Sequence, residues 1–335
     1  MKTIRWGIIG CGNVTEVKSG PALQKADGSQ LVAVMRRSPD LAQDYARRHG
    51  VPRWYTSAQD LIDDPEVDAV YIATPPHLHC HYTLAAARAG KPVYVEKPMA
   101  TSTAECEQMI AACRDAGVPL WVAYYRRALP RFLKVKELLE SGAIGELRAV
   151  TILLTQPAPS FPPGEIPWRL QPEIAGGGLF VDLASHTLDF LDYLIGPIRS
   201  ARGFAANQTG AYPAEDIVCA ALSFENGVQG AGLWCFSSYK NEDRVTLTGS
   251  AGSITFSTFE NRPVTLSTAS GSQDFDIPNP LHIQQPMVQQ VVDELLGRGR
   301  CESTGESALR TTRVMETILA DYYQNRNIPA EKISE

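Results

Sequence analysis

Ile4-Arg5-Trp6-Gly7-Ile8-Ile9-Gly10-Cys11-Gly12-Asn13-Val14-Thr15 begins as an apolar run, breaks at two glycines and continues into a helical pattern. A strand that feeds a Gly-x-Gly turn and then a helix is the layout of a dinucleotide-binding loop. Gly10 permits the tight turn, and Gly12 lets backbone amides approach a pyrophosphate. The next helix offers its positive end, with Cys11, Asn13 and Val14 beside it. Thr15 stands where Gly or Ala is usual, which predicts slightly looser packing of helix on strand. A Gly-x-Gly pair alone says little, because glycines end strands in every fold. Its place at the head of an α/β half gives it weight.

Outward from that loop, apolar runs recur at Leu31–Met35, Ala69–Ala73, Val93–Val95 and Leu120–Ala123. Helical patterns lie between them at Leu41–His49, Leu78–Ala89 and Ala104–Ala116. Buried β-branched runs separated by helices predict a doubly wound parallel sheet, a Rossmann domain spanning residues 1–124. Residues 125–335 read differently. Asn226-Gly227 sits between two alternating arms, and Val245/Leu247 and Ile254/Phe256 alternate around Gly249–Gly252. Both are hairpin signals, so the second domain is expected to be α/β with a large, mostly antiparallel sheet. Helices are expected at Gln284–Leu296 and Glu306–Tyr323. The Pro-rich stretch Gln156–Pro167 is expected to be a cleft-shaping loop.

The second strand ends at Arg36, followed by Arg37 and Ser38. An acid there would bind an adenosine ribose 2′-hydroxyl; an arginine can instead pair a 2′-phosphate. NADP(H) is therefore favoured, with NAD(H) as the alternative if the two arginines are merely solvated. The next candidate turn is Ala73-Thr74-Pro75-Pro76-His77-Leu78-His79-Cys80-His81. Three histidines beside a cysteine suggest zinc, but alternate residues of a helix point about 200° apart and cannot converge on one ion. A helix start beside the cofactor is the better account, and no metal site is assigned.

A net charge of −6 provides no basic field for nucleic acid. No apolar run reaches the roughly 18 residues needed to cross a bilayer. The seven cysteines are odd in number, scattered and without a Cys-x-x-Cys pair, which fits reduced thiols and a cytoplasmic protein.

Val95-Glu96-Lys97-Pro98 completes a set with the glycine loop, Ala73-Thr74-Pro75 with His79, Trp168-Arg169, Gly176-Gly177-Gly178 followed by Asp182 and His186, and Gly249-Ser250-Ala251-Gly252. In this order, over essentially the whole chain, the set resembles the glucose–fructose oxidoreductase / inositol dehydrogenase / MocA (Gfo/Idh/MocA) family. The resemblance implies a second domain built on an open sheet, through which such proteins form dimers or tetramers. It implies that Lys97 lies by the nicotinamide and the reacting carbon, with Glu96 on the cofactor side. Asp182 and His186 complete the catalytic group, and Trp168 and Arg169 border cofactor and substrate. The expected reaction moves a hydride between the nicotinamide and a secondary alcohol or ketone carbon of a sugar or polyol.

Asp182 and His186 are four apart in an expected helix, Asp182 to Leu194, so the carboxylate is expected to orient the imidazole and raise its basicity. In oxidation His186 would take the hydroxyl proton and Lys97 would stabilise the alkoxide-like charge, although these two roles are exchangeable at this level. Asp182 is also readable as a helix N-cap. Arg126 and Arg127 are readable as cleft-rim contacts or as solvated charges, and His282 as a group near the cleft. Two other functions use the same scaffold: an NAD-dependent glycosidase working through transient oxidation, and a non-catalytic NADP-binding sensor. Net hydrolysis without cofactor turnover marks the first; cofactor binding without any turnover marks the second.

Overall fold

The computed structural model describes residues 3–324, so the outermost residues of the two expected domains, 1–2 and 325–335, lie outside the described residues. The first half contains β1 (Ile4–Ile9), α1 (Asn13–Val17), α2 (Ser19–Lys25), β2 (Ser29–Met35), α3 (Pro39–His49), β3 (Arg53–Tyr55), α4 (Ala58–Asp63), β4 (Ala69–Ile72), α5 (His79–Arg88), β5 (Val93–Val95), α6 (Thr103–Asp115) and β6 (Leu120–Val122). Its six strands form a parallel sheet in the order β3-β2-β1-β4-β5-β6. Every residue of β4, β5 and β6 is buried, as a sheet covered on both faces requires. Strand order reverses between β1 and β4, and the cleft outside their carboxyl ends is where doubly wound folds bind ligands.

The second half contains α7 (Pro130–Glu140), β7 (Leu147–Thr155), α8 (Pro172–Ala175), α9 (Ser185–Ile195), β8 (Ile198–Ala206), β9 (Ile217–Phe224), β10 (Gln229–Cys235), β11 (Glu242–Gly249), β12 (Gly252–Phe256), β13 (Val264–Thr268), β14 (Gly271–Phe275), α10 (Gln285–Leu295) and α11 (Gly305–Gln324). Its eight strands run β14-β13-β12-β11-β7-β10-β9-β8, all antiparallel except the β7–β10 pair. Val150, Ile152 and Leu154 of β7 and Val218, Ala220 and Leu222 of β9 are buried, while Thr151, Cys219 and Ala221 between them are exposed. One face therefore packs on helices and the other lies open. The fold class read from the sequence is the one found, and both expected hairpins are present as β9–β10 and β11–β12.

Three local details differ from expectation. The three-residue β3 and the six-residue α4 carry too little periodicity to be read. The helix after the glycine loop is broken at Lys18 into α1 and α2. Thr15 does not loosen that region: its hydroxyl donates to the Gly12 carbonyl at 2.8 Å and accepts from the Gly12 N–H at 3.0 Å. The small residue required by close packing is Gly20, where a Cβ would lie 2.2 Å from the Thr15 carbonyl oxygen.

After β6 the chain leaves the first sheet, and its last helices return to it. Gln289 of α10 accepts the Asp27 N–H at 2.7 Å, and the Ser303 carbonyl accepts the Val122 N–H at 3.0 Å.

Candidate active site

Gly10 has φ +90°, a left-handed conformation that suits glycine, and a Cβ there would lie 2.8 Å from Thr74 Cγ2. The turn after β1 thus fits tightly against the turn after β4. Together they floor a cavity of about 520 Å³ lined by Gly10, Cys11, Gly12, Asn13, Val14, Arg36, Arg37, Ser38, Ala73, Thr74, Pro75, Trp168 and Arg169, with Met35, Leu41, Leu78 and Tyr82. Arg36 is positioned by a bond from Nη1 to the Cys11 carbonyl at 3.3 Å.

A second cavity, also about 520 Å³, continues from the first through Asn13, Val14, Ala73, Thr74, Trp168 and Arg169. It brings together Lys97 from the turn after β5, Asp182 from the turn before α9 and His186 from the start of α9. Lys97 Nζ donates to Asp182 Oδ1 at 2.5 Å and to the Asp182 carbonyl at 2.9 Å. Residues Phe180–Ala184 form a wide π-helical turn before α9, a distortion often found at functional sites. That turn corrects the expected geometry: the four-residue spacing does not join Asp182 to His186. The carboxylate goes to Lys97 and, at 3.5 Å, to Arg169 Nε, while His186 Nδ1 is buried without a partner.

The electrostatics follow from this arrangement. Burial opposes ionisation of Asp182, but the Lys97 ammonium beside it and then Arg169 outweigh burial and hold its carboxyl below the usual range. Burial, with the positive charges of Arg126, Lys97 and Lys18, holds the His186 imidazole well below its ordinary value. The raised basicity expected for His186 is therefore not found; the ring is neutral at physiological pH. Tyr125 and Phe259 pack edge-on against it, with centroids 5.2 and 6.0 Å away.

Two residues expected on the cofactor side turn inward. His79 is fully buried, with Nε2 2.8 Å from the Thr74 carbonyl and Nδ1 3.0 Å from the Pro98 carbonyl. It ties the turn after β4 to the turn after β5 and does not line either cavity. Glu96 lines the second cavity with Pro76, but its Oε1 accepts from Tyr71 at 2.5 Å and Gln284 at 2.7 Å, and its Oε2 accepts the Lys97 N–H at 3.1 Å. It is a brace behind Lys97. The loop 156–167 lines neither cavity; Phe161 and Ile166 pack near Leu170 and Tyr212, and the Trp168-Arg169 pair that follows lines both.

Arg126 and Arg127 are both buried, so neither is a solvated charge. Arg127 forms a two-pronged pair with Asp189 at 2.7 and 2.8 Å, away from the cavity, whereas Arg126 lines it. His282 does not line the cavity, although its neighbours Ile283 and Gln284 do. Lys18, Tyr125, Leu183, Phe259, Ile283 and Gln284 were not read from the sequence. Lys18, one residue past the glycine loop's helix, Leu183, beside Asp182, and Tyr125, beside Arg126, stood next to residues that the sequence singles out. Among the described residues no group of three or more His, Cys, Asp or Glu is placed to hold a metal, and no helix is long and apolar enough to cross a membrane.

Burial depresses His79 as it does His186, and this has a measurable consequence. An imidazole with a lower pKa folded than unfolded takes up a proton on unfolding below the free value of 6.5. Its contribution to stability is complete above that pH and is lost as pH falls toward the folded value, by up to about 1.4 kcal/mol per pH unit. Unfolding midpoints measured from pH 6.5 to 5 should fall less steeply for His186→Asn than for the wild type. Identical slopes would show that His186 is not held neutral by the fold.

The model of the oxidoreductase family with an NAD-binding Rossmann fold, Gfo/Idh/MocA, matches residues 4–124, and the Gfo/Idh/MocA C-terminal domain model matches residues 132–255. Oxidoreductase P35 of Formosa agariphila is 40% identical over 317 residues, 94% of this chain and 98% of that protein. The 1,5-anhydro-D-fructose reductase of Ensifer adhaerens is 30% identical over 91% of this chain and 92% of its own. The crystal structure of aldose-aldose oxidoreductase from Caulobacter crescentus complexed with glycerol superposes with a TM-score of 0.86 at 27% identity, covering 97% of this chain and 99% of that one. The chain belongs to the Gfo/Idh/MocA family and is an oxidoreductase with an NAD-binding Rossmann fold.

Proposed function

We propose that the chain transfers a hydride between NADP(H) and a secondary alcohol or ketone carbon of a sugar or polyol. The observation that carries this reading is the meeting of Lys97, Asp182 and His186 in a cavity continuous with the dinucleotide cleft. The names of the relatives, a 1,5-anhydro-D-fructose reductase and an aldose-aldose oxidoreductase, support the substrate class.

The residues present fit a nicotinamide dinucleotide. A Cβ on Gly12 would meet only the Gly10 carbonyl, at 3.9 Å, so the loop leaves room for a pyrophosphate. The Thr74 hydroxyl is buried without a partner on the path between the two cavities. Arg36, Arg37 and Ser38 would hold the ribose and its 2′-phosphate; Trp168 and Arg169 would cover the nicotinamide end. When bound, the nicotinamide supplies the two-electron acceptor or donor. Lys97, anchored by Asp182, donates a hydrogen bond to the reacting oxygen and stabilises its developing charge. Neutral His186 accepts the hydroxyl proton in oxidation and returns it in reduction.

The division at residue 124 would separate cofactor binding (1–124) from substrate binding and assembly (125–335). The open face of the second sheet exposes Phe204, with Cys219 and Leu233 in the same cross-strand row, and supports assembly of two or four copies through it. All seven cysteines are free, in keeping with a reducing, cytoplasmic setting.

A panel of sugars, polyols and keto-sugars, followed at the nicotinamide absorbance with both cofactors, tests the activity. Hydrolysis without net cofactor turnover, or cofactor binding with no turnover on any compound, would overturn it. The cofactor preference has its own test. Arg36→Leu should weaken NADP(H) binding about 10-fold or more and leave NAD(H) within about twofold, because only the 2′-phosphate loses a charge-assisted partner. Wild-type protein that binds NAD(H) as tightly as NADP(H) would rule the preference out.

A further inference from the structure

Arg126 lies in the turn Tyr125–Ala128, is 5% exposed, and faces the cavity that holds Lys97 and His186. Its Nε donates to the Thr258 carbonyl at 2.9 Å, and its guanidinium carbon lies 4.6 Å from the Phe259 ring centre and 5.1 Å from that of Tyr125. Nη1 is buried and has no partner. Among the described residues no carboxylate approaches Arg126 within ion-pair distance. Neighbouring acids are committed elsewhere. Asp243 accepts the N–H groups of Thr258, Phe259 and Glu260; Asp182 holds Lys97; Glu96 is bonded to Tyr71 and Gln284.

A buried guanidinium without a counter-charge is costly, and one so clamped by two rings and a carbonyl cannot swing out to water. Arg127, next in sequence, shows the alternative: its fork is filled by Asp189. We infer that a carboxylate of the substrate supplies the counter-charge Arg126 lacks, making the substrate a sugar acid or keto acid rather than a neutral sugar. This deepens the proposed hydride transfer and rests on it. A carboxylate matches the guanidinium fork with two parallel bonds. A phosphate would draw on Lys18 of the same cavity as well as on Arg126, and glucose 6-phosphate among the probes separates it from a carboxylate. Arg126 and His186 pack on the same two rings, Tyr125 and Phe259, so the carboxylate sits close to the reacting carbon. The positive charge also helps keep His186 neutral. The carboxylate is a handle and takes no part in the bond changes.

The test compares D-glucuronate and D-gluconate with D-glucose, myo-inositol and glucose 6-phosphate. Binding is read by quenching of bound NADPH fluorescence, and turnover is read separately. Carboxylate probes should bind the wild type about 10-fold or more tightly than glucose. Arg126→Gln should abolish that difference with glucose binding within about twofold, and Arg126→Lys should keep part of it. If the glutamine variant fails to bind NADPH, the lysine variant carries the comparison. No carboxylate probe binding better than glucose, a preference for the phosphate, or equal losses on acid and neutral probes would each overturn the inference. Arg126-dependent binding of the acids with no turnover of any compound would uphold the recognition and refute the hydride-transfer reading.

Discussion

Lys97→Ala lowers kcat by about 10²–10³-fold, the size of effect expected when one pre-positioned donor to a developing oxyanion is removed. The expectation rests on how the amine is held. Lys97 follows the fully buried β5, and its Nζ is fixed by both the side chain and the carbonyl of Asp182. A group held at two points needs no reorganisation when charge appears on the substrate oxygen, which is where electrostatic catalysis gains most. Lys97 lines the second cavity and not the first, so NADPH affinity should change little. Loss concentrated in kcat, with cofactor Kd within about twofold, identifies an interaction made mainly in the transition state. Turnover within about threefold of wild type would remove Lys97 from the mechanism. Asp182→Asn should lie between Lys97→Ala and the wild type, because it removes the carboxylate's charge while an amide oxygen and the backbone carbonyl still accept from Nζ.

What the sequence makes legible follows from the range over which its signals act. The Gly-x-Gly loop, the Asn226-Gly227 hairpin and the alternation around Gly249–Gly252 are local, and each occurs where its local chemistry demands. Rossmann order and the large second sheet follow from repeated local patterns. The site is legible only as a set of residues, not as a set of bonds. A regular helix would pair Asp182 with His186, and with one wide turn, Phe180–Ala184, the carboxylate meets Lys97 instead. Nothing in the dipeptide Arg126-Arg127 says which side chain enters the cavity; a single-turn helix points one at Thr258 and the other at Asp189. Phe259 and Gln284 reach the site from segments with no motif at all, through contacts that only the folded chain creates. His79, read from its position beside the cofactor turn, proves to be buried between the Thr74 and Pro98 carbonyls, one of which its single N–H can bond.

The same arginine pair sets up the largest effect expected on stability. Arg127 and Asp189 are 4% and 1% exposed and meet through two bonds, with the Glu302 carbonyl accepting from Arg127 Nη1. Asp192 lies 3.8 Å from Arg127 and is itself held by Arg310. Removing the cation alone leaves the Asp189 carboxylate in a dry interior beside a second acid. Arg127→Leu should therefore cost about 3–5 kcal/mol in urea unfolding, the range seen when one partner of a buried pair is lost. Removing both charges is a different experiment. Arg127→Leu with Asp189→Leu leaves no orphaned ion, and well-packed apolar pairs often match the ion pair they replace. The double variant should recover most of the single variant's loss, a coupling that a double-mutant cycle measures directly. Losses that simply add would show that the cost of Arg127→Leu lies in packing of the long side chain and not in a stranded charge. Arg126→Leu provides the contrast, because Arg126 has no acid to strand. Its removal should leave stability near or above the wild-type value, whereas Arg127→Leu should not.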